Sequence, residues 1–196
     1  MTTVERRTFD VVAQVVALLD ARATPNAIVG AVALAAHGYV RATANVDIGV
    51  NLGTLRELDE LGGELRAALP KANVAVRWPD ADDPLGGVID ISASDMRLVQ
   101  VINFVNPLGL GDHPGREGVM EAMRTAPVGG LPRVVNVPYL VAIKLHTGGS
   151  KSAADVVELL DANDTPLPAI DAICARFRLT DAWSALRPEI AARRAG

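Results

Sequence analysis

Apolar positions change their spacing several times along this chain, and each change marks an element. From Val4 to Arg22 the residues Phe9, Val12, Val16 and Leu19 recur at three- and four-residue intervals, one face of a helix. Pro25 and Asn26 close it. Residues 27–29 form a short apolar run that Gly30 breaks. Residues 31–37 read as a short Ala-rich helix ended by Gly38, where a left-handed cap is usual. Residues 46–50 return to a strand, and residues 55–69 are helical up to Pro70. Three strands are predicted at 74–78, 88–91 and 98–104, with a turn-rich loop over 79–87.

After Asn106 the texture changes. Residues 107–118 are rich in Gly and Pro, 117–126 read as helix, and 133–137 as extended chain. From Pro138 onward four helical stretches follow, at 139–146, 152–162, 168–177 and 181–192. The pattern predicts an α+β protein. Residues 1–135 would form a mixed β-sheet flanked by helices, and residues 136–196 a helical part packed on that core as one compact unit.

Composition narrows the class. A chain of 196 residues can bury a core of one domain, with or without a helical extension. Hydrophobic content of 49% with 21% charge is that of a globular protein. Aromatics make up only 4%, so Ala, Val and Leu must fill most of the core. A net charge of −4 argues against a broad basic surface for nucleic acid, and leaves room for a local basic groove. Arg187, Arg193 and Arg194 read as a solvated basic end. Cys174 is the only cysteine, which excludes an internal disulfide and a cysteine metal cluster; between Ile173 and Ala175 it reads as a small buried hydrophobe on a helix. The apolar run 11–19 is interrupted by Gln14 and ends at Asp20, too short for a signal peptide or a membrane span. A soluble cytoplasmic protein with no membrane partner is the expectation.

Candidate chemistry concentrates in residues 28–50, IVGAVALAAHGYVRATANVDIGV. Residues i and i+2 of a strand share a face, so Asn45 and Asp47 present their side-chain oxygens side by side. Two hard oxygen ligands at that spacing suit Mg²⁺, which takes one or two carboxylates and completes its shell with phosphates and water. Gly30 lacks a Cβ and precedes a helix N-terminus, where backbone N–H groups and the helix dipole favour a phosphate.

This segment resembles the signature of the DNA-polymerase-β-like minimal nucleotidyltransferases, especially the small bacterial abortive-infection-toxin type. The family pattern is a Gly-Gly or Gly-Ser pair, a short helix, Arg-x-Thr and an Asp-x-Asp strand. Gly30-Ala31 matches the pair, Arg41 and Thr43 the middle, and Asn45-Val46-Asp47 the acidic strand. A second block, residues 136–160 (NVPYLVAIKLHTGGSKSAADVVELL), is similar to the family's later helix pair with its Lys and downstream Asp, here Lys144 and Asp155. The resemblance implies a nucleotidyltransferase fold, a nucleoside triphosphate bound with Mg²⁺ on Asp47 and Asn45, and Gly30, Ala31, Arg41 and Thr43 around the nucleotide. It implies nucleotidyl transfer to a hydroxyl of an RNA, protein or small-molecule acceptor, with Lys144 or Arg41 neutralising charge. A toxin-type member would also have a cognate antitoxin-like partner.

The pattern is broken at two carboxylates. Asn45 stands at the first, and Gln100 stands by position at the third, with Asp90 on the preceding strand as the substitute if the register differs. A unit charge pair about 4 Å apart is worth roughly 4 kcal/mol at an effective dielectric near 20, and a dication roughly doubles it. Losing two of three carboxylates would therefore remove a two-metal clamp. Two functions stay open: an active transferase, and a catalytically impaired member acting as a nucleotide- or partner-binding module.

Other residues carry plainer alternatives. Asp47 could be a solvated strand end, Arg41 a surface cation and Thr43 a β-former. Lys144 either snorkels out of its apolar helix or reaches into the cleft. Asp155 either belongs to the site or pairs with Lys151 at i, i+4 as a surface bridge. His37 reads as a helix-end residue. His113 and His146 fall in separate loops and give no metal cluster. The glycines at 148–149 before Lys151, and Gly109, Gly111 and Gly115, fail the P-loop and dinucleotide spacings and read as loops.

Overall fold

The computed structural model describes residues 2–109, 111–125 and 132–195. Thr2 opens the first helix with a reciprocal cap: its hydroxyl accepts the Glu5 N–H while the Glu5 carboxylate accepts the Thr2 N–H. Helix α1 (Thr3–Ala21) buries Thr8, Val11, Val12, Val15, Val16 and Leu19. That stripe runs one position round from the expected one, which leaves Phe9 on its edge and 51% exposed.

Five strands form one sheet in the order β1 (Asn26–Val29), β2 (Asn45–Val50), β5 (Leu98–Asn103), β4 (Val88–Ser92), β3 (Asn73–Arg77). The central pair β2 and β5 is parallel, and every other pair is antiparallel. With the helices, the architecture is the α+β arrangement expected from the sequence.

The two faces of the sheet differ in chemistry. Val46 and Ile28 point to the side where α1 packs, and Val76 to the side of α3 (Leu55–Ala68), whose Gly62 admits it. Leu58, Leu61 and Leu65 of α3 are fully buried, worth about 1.5–3 kcal/mol each. The opposite face carries Val29, Asp47, Gln100 and Asp90 in one row, because these residues are register partners across β1, β2, β5 and β4. Helices α4 (Pro114–Thr125) and α5 (Val137–Thr147) lie over that face. Phe104 fills the space between β2 and α4. A Cβ on Gly49 or on Gly115 would come within 2.5 Å of its ring.

Asn103, at the end of β5, is wholly buried and acts as a polar hub. Its Oδ1 accepts the N–H groups of Leu52 and Val105, and its Nδ2 donates to the carbonyls of Leu52, Gly86 and Val105. The amide thereby satisfies the backbone where three connections meet.

Several boundaries differ from the expectation. Helix α4 begins at Pro114, since Pro costs nothing in the first turn, so Gly115 is helical and not in a loop. The expected end at Ala126 lies outside the described residues. The extended segment before α5 makes only one bridge, Val134 to Ile28, and Val137 already belongs to α5, capped by Asn136. Helix α6 (Ser150–Asp161) takes up Ser150 and Lys151, which leaves only Gly148 and Gly149, both at positive φ, as the turn. Helices α7 (Leu167–Arg176) and α8 (Thr180–Ala195) complete the chain, with Cys174 buried on α7 as read from its neighbours.

The basic end is not simply solvated. Arg187 pairs with Asp171, Arg193 with Glu158 and Glu189, and Arg194 donates to the carbonyls of Leu160 in the last turn of α6 and of Asn163 and Thr165 beyond it. The Leu160 carbonyl is one that a helix end leaves unpaired, and a guanidinium fork can serve it together with the loop carbonyls beside it. Among the described residues no helix is long and apolar enough to cross a membrane.

Candidate functional site

The polar row begins where the chain enters β2. The Thr43 hydroxyl lies 3.0 Å from both Asn45 Oδ1 and the Asn45 main-chain oxygen, and donates there. The Asn45 amide then spends both of its hydrogens: Nδ2 donates to Asp47 Oδ1 at 2.6 Å and to Gln100 Oε1 at 2.8 Å. Gln100 continues across the sheet, its Nε2 donating to Asp90 Oδ1 at 2.7 Å. Arg77 closes the row by donating to both oxygens of Asp90, at 2.7 and 3.3 Å.

The direction of this chain is fixed by its partners. Turning the Asn45 amide over would set its oxygen against Asp47 Oδ1 and Gln100 Oε1, with no hydrogen between them. Turning Gln100 over would leave two NH₂ groups facing each other and two oxygens facing each other. Arg77 and Gln100 hold the Asp90 carboxyl below its usual range, against the raising effect of burial.

Among the described residues, Asp47 is the carboxylate that opens on a cleft of about 250 Å³ between the sheet and α5. Val29 and Gly30 line it where β1 ends, Ile102 from β5, Phe104 and His113 from the connection between β5 and α4, and Leu140, Ile143 and Lys144 from α5. Burial pushes the Asp47 carboxyl up to about 6, against the opposing pull of Lys144 and Arg41. Gly30, at φ +63°, is what lets the carboxylate sit where it does. Ala31, the second residue of the pair, is buried in α2 (Gly30–Ala36).

Lys144 and Arg41 meet on a third residue. The buried Asp155, 2% exposed, holds Lys144 Nζ at 2.8 Å and Arg41 Nε at 2.9 Å. The surface bridge from Asp155 to Lys151 is therefore not formed: Asp155 lies on the inner face of α6 with Ser152, Val156 and Leu159, pointing away from solvent. Lys144 does reach the cleft, and does so while tied to a buried anion.

The two histidines are neighbours and not parts of separate loops. His146 lies in the last turn of α5, and its ring meets His113 edge-on at 4.4 Å. His113 stacks on Phe104 at 4.7 Å, and its Nδ1 accepts the Gly115 N–H at 2.9 Å. Burial, with a smaller contribution from His146, pushes His113 down to about 3, so the ring is neutral and carries its hydrogen on Nε2. His37 ends α2 and its Nε2 contacts the Val135 carbonyl at 2.9 Å.

No protein-family model matches the chain. None of the curated proteins matches it either. Among solved structures, it is similar to the solution structure of the antibiotic-resistance factor ANT(2'')-Ia, at 15% identity over 92% of this chain and 95% of that one, with a TM-score of 0.48. A second similar structure is the crystal structure of ANT(2'')-Ia in complex with adenylyl-2''-tobramycin, at 18% identity over 87% of this chain and 98% of that one, with a TM-score of 0.49.

The donor set at the row does not fit the Mg²⁺ that the sequence resemblance implies. A divalent cation between Asn45, Asp47 and Gln100 needs oxygens turned inward. Here the space between Asp47 Oδ1 and Gln100 Oε1 is taken by the Asn45 NH₂, and the Asn45 oxygen is turned away to Thr43. Asp90 stands two strands from Asp47, about 10 Å at the usual strand spacing, with its oxygens engaged by Gln100 and Arg77. Among the described residues no group of three or more His, Cys, Asp or Glu is arranged to hold a metal ion.

Proposed function

We propose that this chain is a nucleotidyltransferase-fold protein that binds a nucleotide in the cleft between the sheet and α5 and does not transfer it. The observation that carries the reading is that Lys144 and Asp47 line the same cleft. Lys144 and Arg41 against the single carboxylate of Asp155 make two positive charges and one negative, a net of one positive charge at that end. Phosphates belong there, held as by any Lys or Arg. Asp47 accepts a hydrogen from a hydroxyl or amino group of the ligand, and Ile102, Phe104 and Ile143 offer apolar surface to a base. Thr43, which the resemblance sets beside the nucleotide, donates to Asn45.

Calorimetry with the four nucleoside triphosphates, with and without Mg²⁺, tests the reading. Binding is expected in the absence of Mg²⁺, and Lys144→Ala should weaken it by about tenfold, the value of one charge-assisted contact. Absence of binding at millimolar nucleotide would end the proposal. Label transferred by the wild-type protein from a triphosphate to an RNA, protein or small-molecule pool would restore the active-transferase reading.

A finer reading, a toxin-type member under an antitoxin-like partner, draws on the meeting of Lys144 and Asp155, the two residues named by the second block of the resemblance. Growth arrest on expression that is relieved by Lys144→Ala supports it, and harmless expression removes it.

A further inference from the structure

We propose that the amides of Asn45 and Gln100 take the structural place of a cation, so that this face of the sheet is closed by hydrogen bonds and is independent of divalent metal. Strands β2 and β4 each bring a carboxylate, Asp47 and Asp90, to the same row of the same face, with β5 between them. Two carboxylates and an intervening polar side chain on a partly buried sheet need positive partners. In this row the partners are N–H groups. Asn45 donates to Asp47 and to Gln100, Gln100 donates to Asp90, and Arg77 neutralises the far end.

The exchange is stoichiometric at the level of hydrogen bonds. Both Asn45 N–H groups, the Gln100 oxygen and one Gln100 N–H are used, and the Asn45 oxygen is satisfied by Thr43. An amide differs from a carboxylate of the same shape by this NH₂ alone, so two isosteric replacements, Asn at 45 and Gln at 100, suffice to turn inward-facing acceptors into donors. The converse also follows. Asn45→Asp with Gln100→Glu would place four carboxylates, at 45, 47, 90 and 100, on neighbouring positions of one face of the sheet, where they repel one another until a cation enters. This inference concerns the row alone and stands whether or not the cleft binds a nucleotide.

The test uses the full chain and Mn²⁺ as the probe, with no nucleotide present. For the wild type, thermal unfolding should be unchanged by EDTA or by added Mn²⁺. For N45D/Q100E, unfolding without metal should come at lower temperature and be raised by Mn²⁺. Mn²⁺ should bind it tighter than the wild type by roughly tenfold per added carboxylate. Equal Mn²⁺ affinity of the two proteins, or a wild-type midpoint lowered by EDTA, would overturn the proposal. If the double variant does not fold, the wild type still decides. Its Asn45 and Gln100 side-chain NH₂ signals in ¹⁵N–¹H NMR should stay sharp during Mn²⁺ titration, and selective broadening of these two signals would overturn it.

Discussion

A β-carbon built on Gly30 would lie 2.0 Å from Asp47 Oδ2, so the glycine and the carboxylate occupy neighbouring space with no room for a methyl group. Gly30 is also held at φ +63°, a conformation that costs an L-residue about 1–2 kcal/mol. Gly30→Ala should therefore destabilise the protein by about 2–5 kcal/mol, combining that backbone strain with overpacking of about 1–3 kcal/mol. Urea unfolding of the variant measures the sum. Adding Asp47→Ala removes the two closest carboxylate contacts and should return most of the steric part, leaving the backbone part and the 3.1 Å approach of the residue 47 Cβ.

Asp155 predicts non-additivity. It serves Arg41 and Lys144 at once from a buried position, so Asp155→Ala leaves two cations facing each other and should cost about 3–5 kcal/mol. Lys144→Met should cost less, because Arg41 continues to neutralise the carboxylate. A double-mutant cycle on Asp155 and Lys144 should give a coupling energy of about 0.5–3 kcal/mol, and a value near zero would show that the pair does not hold α5 to α6.

His113 predicts the acid limb of stability. In the unfolded chain its imidazole takes a proton near 6.5, whereas in the folded protein burial delays protonation to about 3. The stability tied to the neutral ring is complete above pH 6.5 and is lost as pH falls from 6.5 toward 3. Its slope is up to about 1.4 kcal/mol per pH unit. His113→Phe keeps the stack on Phe104 and removes the titration. Its melting temperature should fall less steeply over that window than that of the wild type.

Asn103 predicts a large effect away from the cleft. Asn103→Asp replaces the NH₂ that serves three carbonyls with an oxygen that repels them. A loss of about 2–4 kcal/mol is expected from the buried carbonyls left without a donor, read as a shift in the denaturation midpoint.

Much of this arrangement was legible in the chain because it is local. The strands that carry the row follow from short apolar runs, and the shared face of Asn45 and Asp47 follows from the two-residue period of a strand. Gln100 could be set in the row by position alone, and the register places it opposite Asp47. What stayed hidden depends on partners far along the chain. His113 and His146 are brought together by α4 and α5, and no spacing announces it. Asn103 looks like an ordinary polar strand end until the loops that surround it are known. Asp155 did leave a signal: it falls on the same helical face as Ser152, Val156 and Leu159, and an acid among buried positions needs a buried cation. Phe9 misled because two faces of α1 share Val12, Val16 and Leu19, and only the neighbours in space choose between them.

The parallel pairing of β2 with β5 also sets an order of events. Residues 45–50 reach their partners at 98–103 only after the intervening α3, β3 and β4 have been made, and Lys144 on α5 arrives later still. A chain emerging from the ribosome therefore carries Asp47 for a long interval without Gln100 beside it or Lys144 across from it. Distant pairings of this kind slow folding, because loop closure must precede the contacts that reward it. The cleft is accordingly a late product of synthesis: a nascent or truncated chain can hold the recognisable segment at 28–50, Arg41 included, and still lack Lys144 and the helix that covers the cleft.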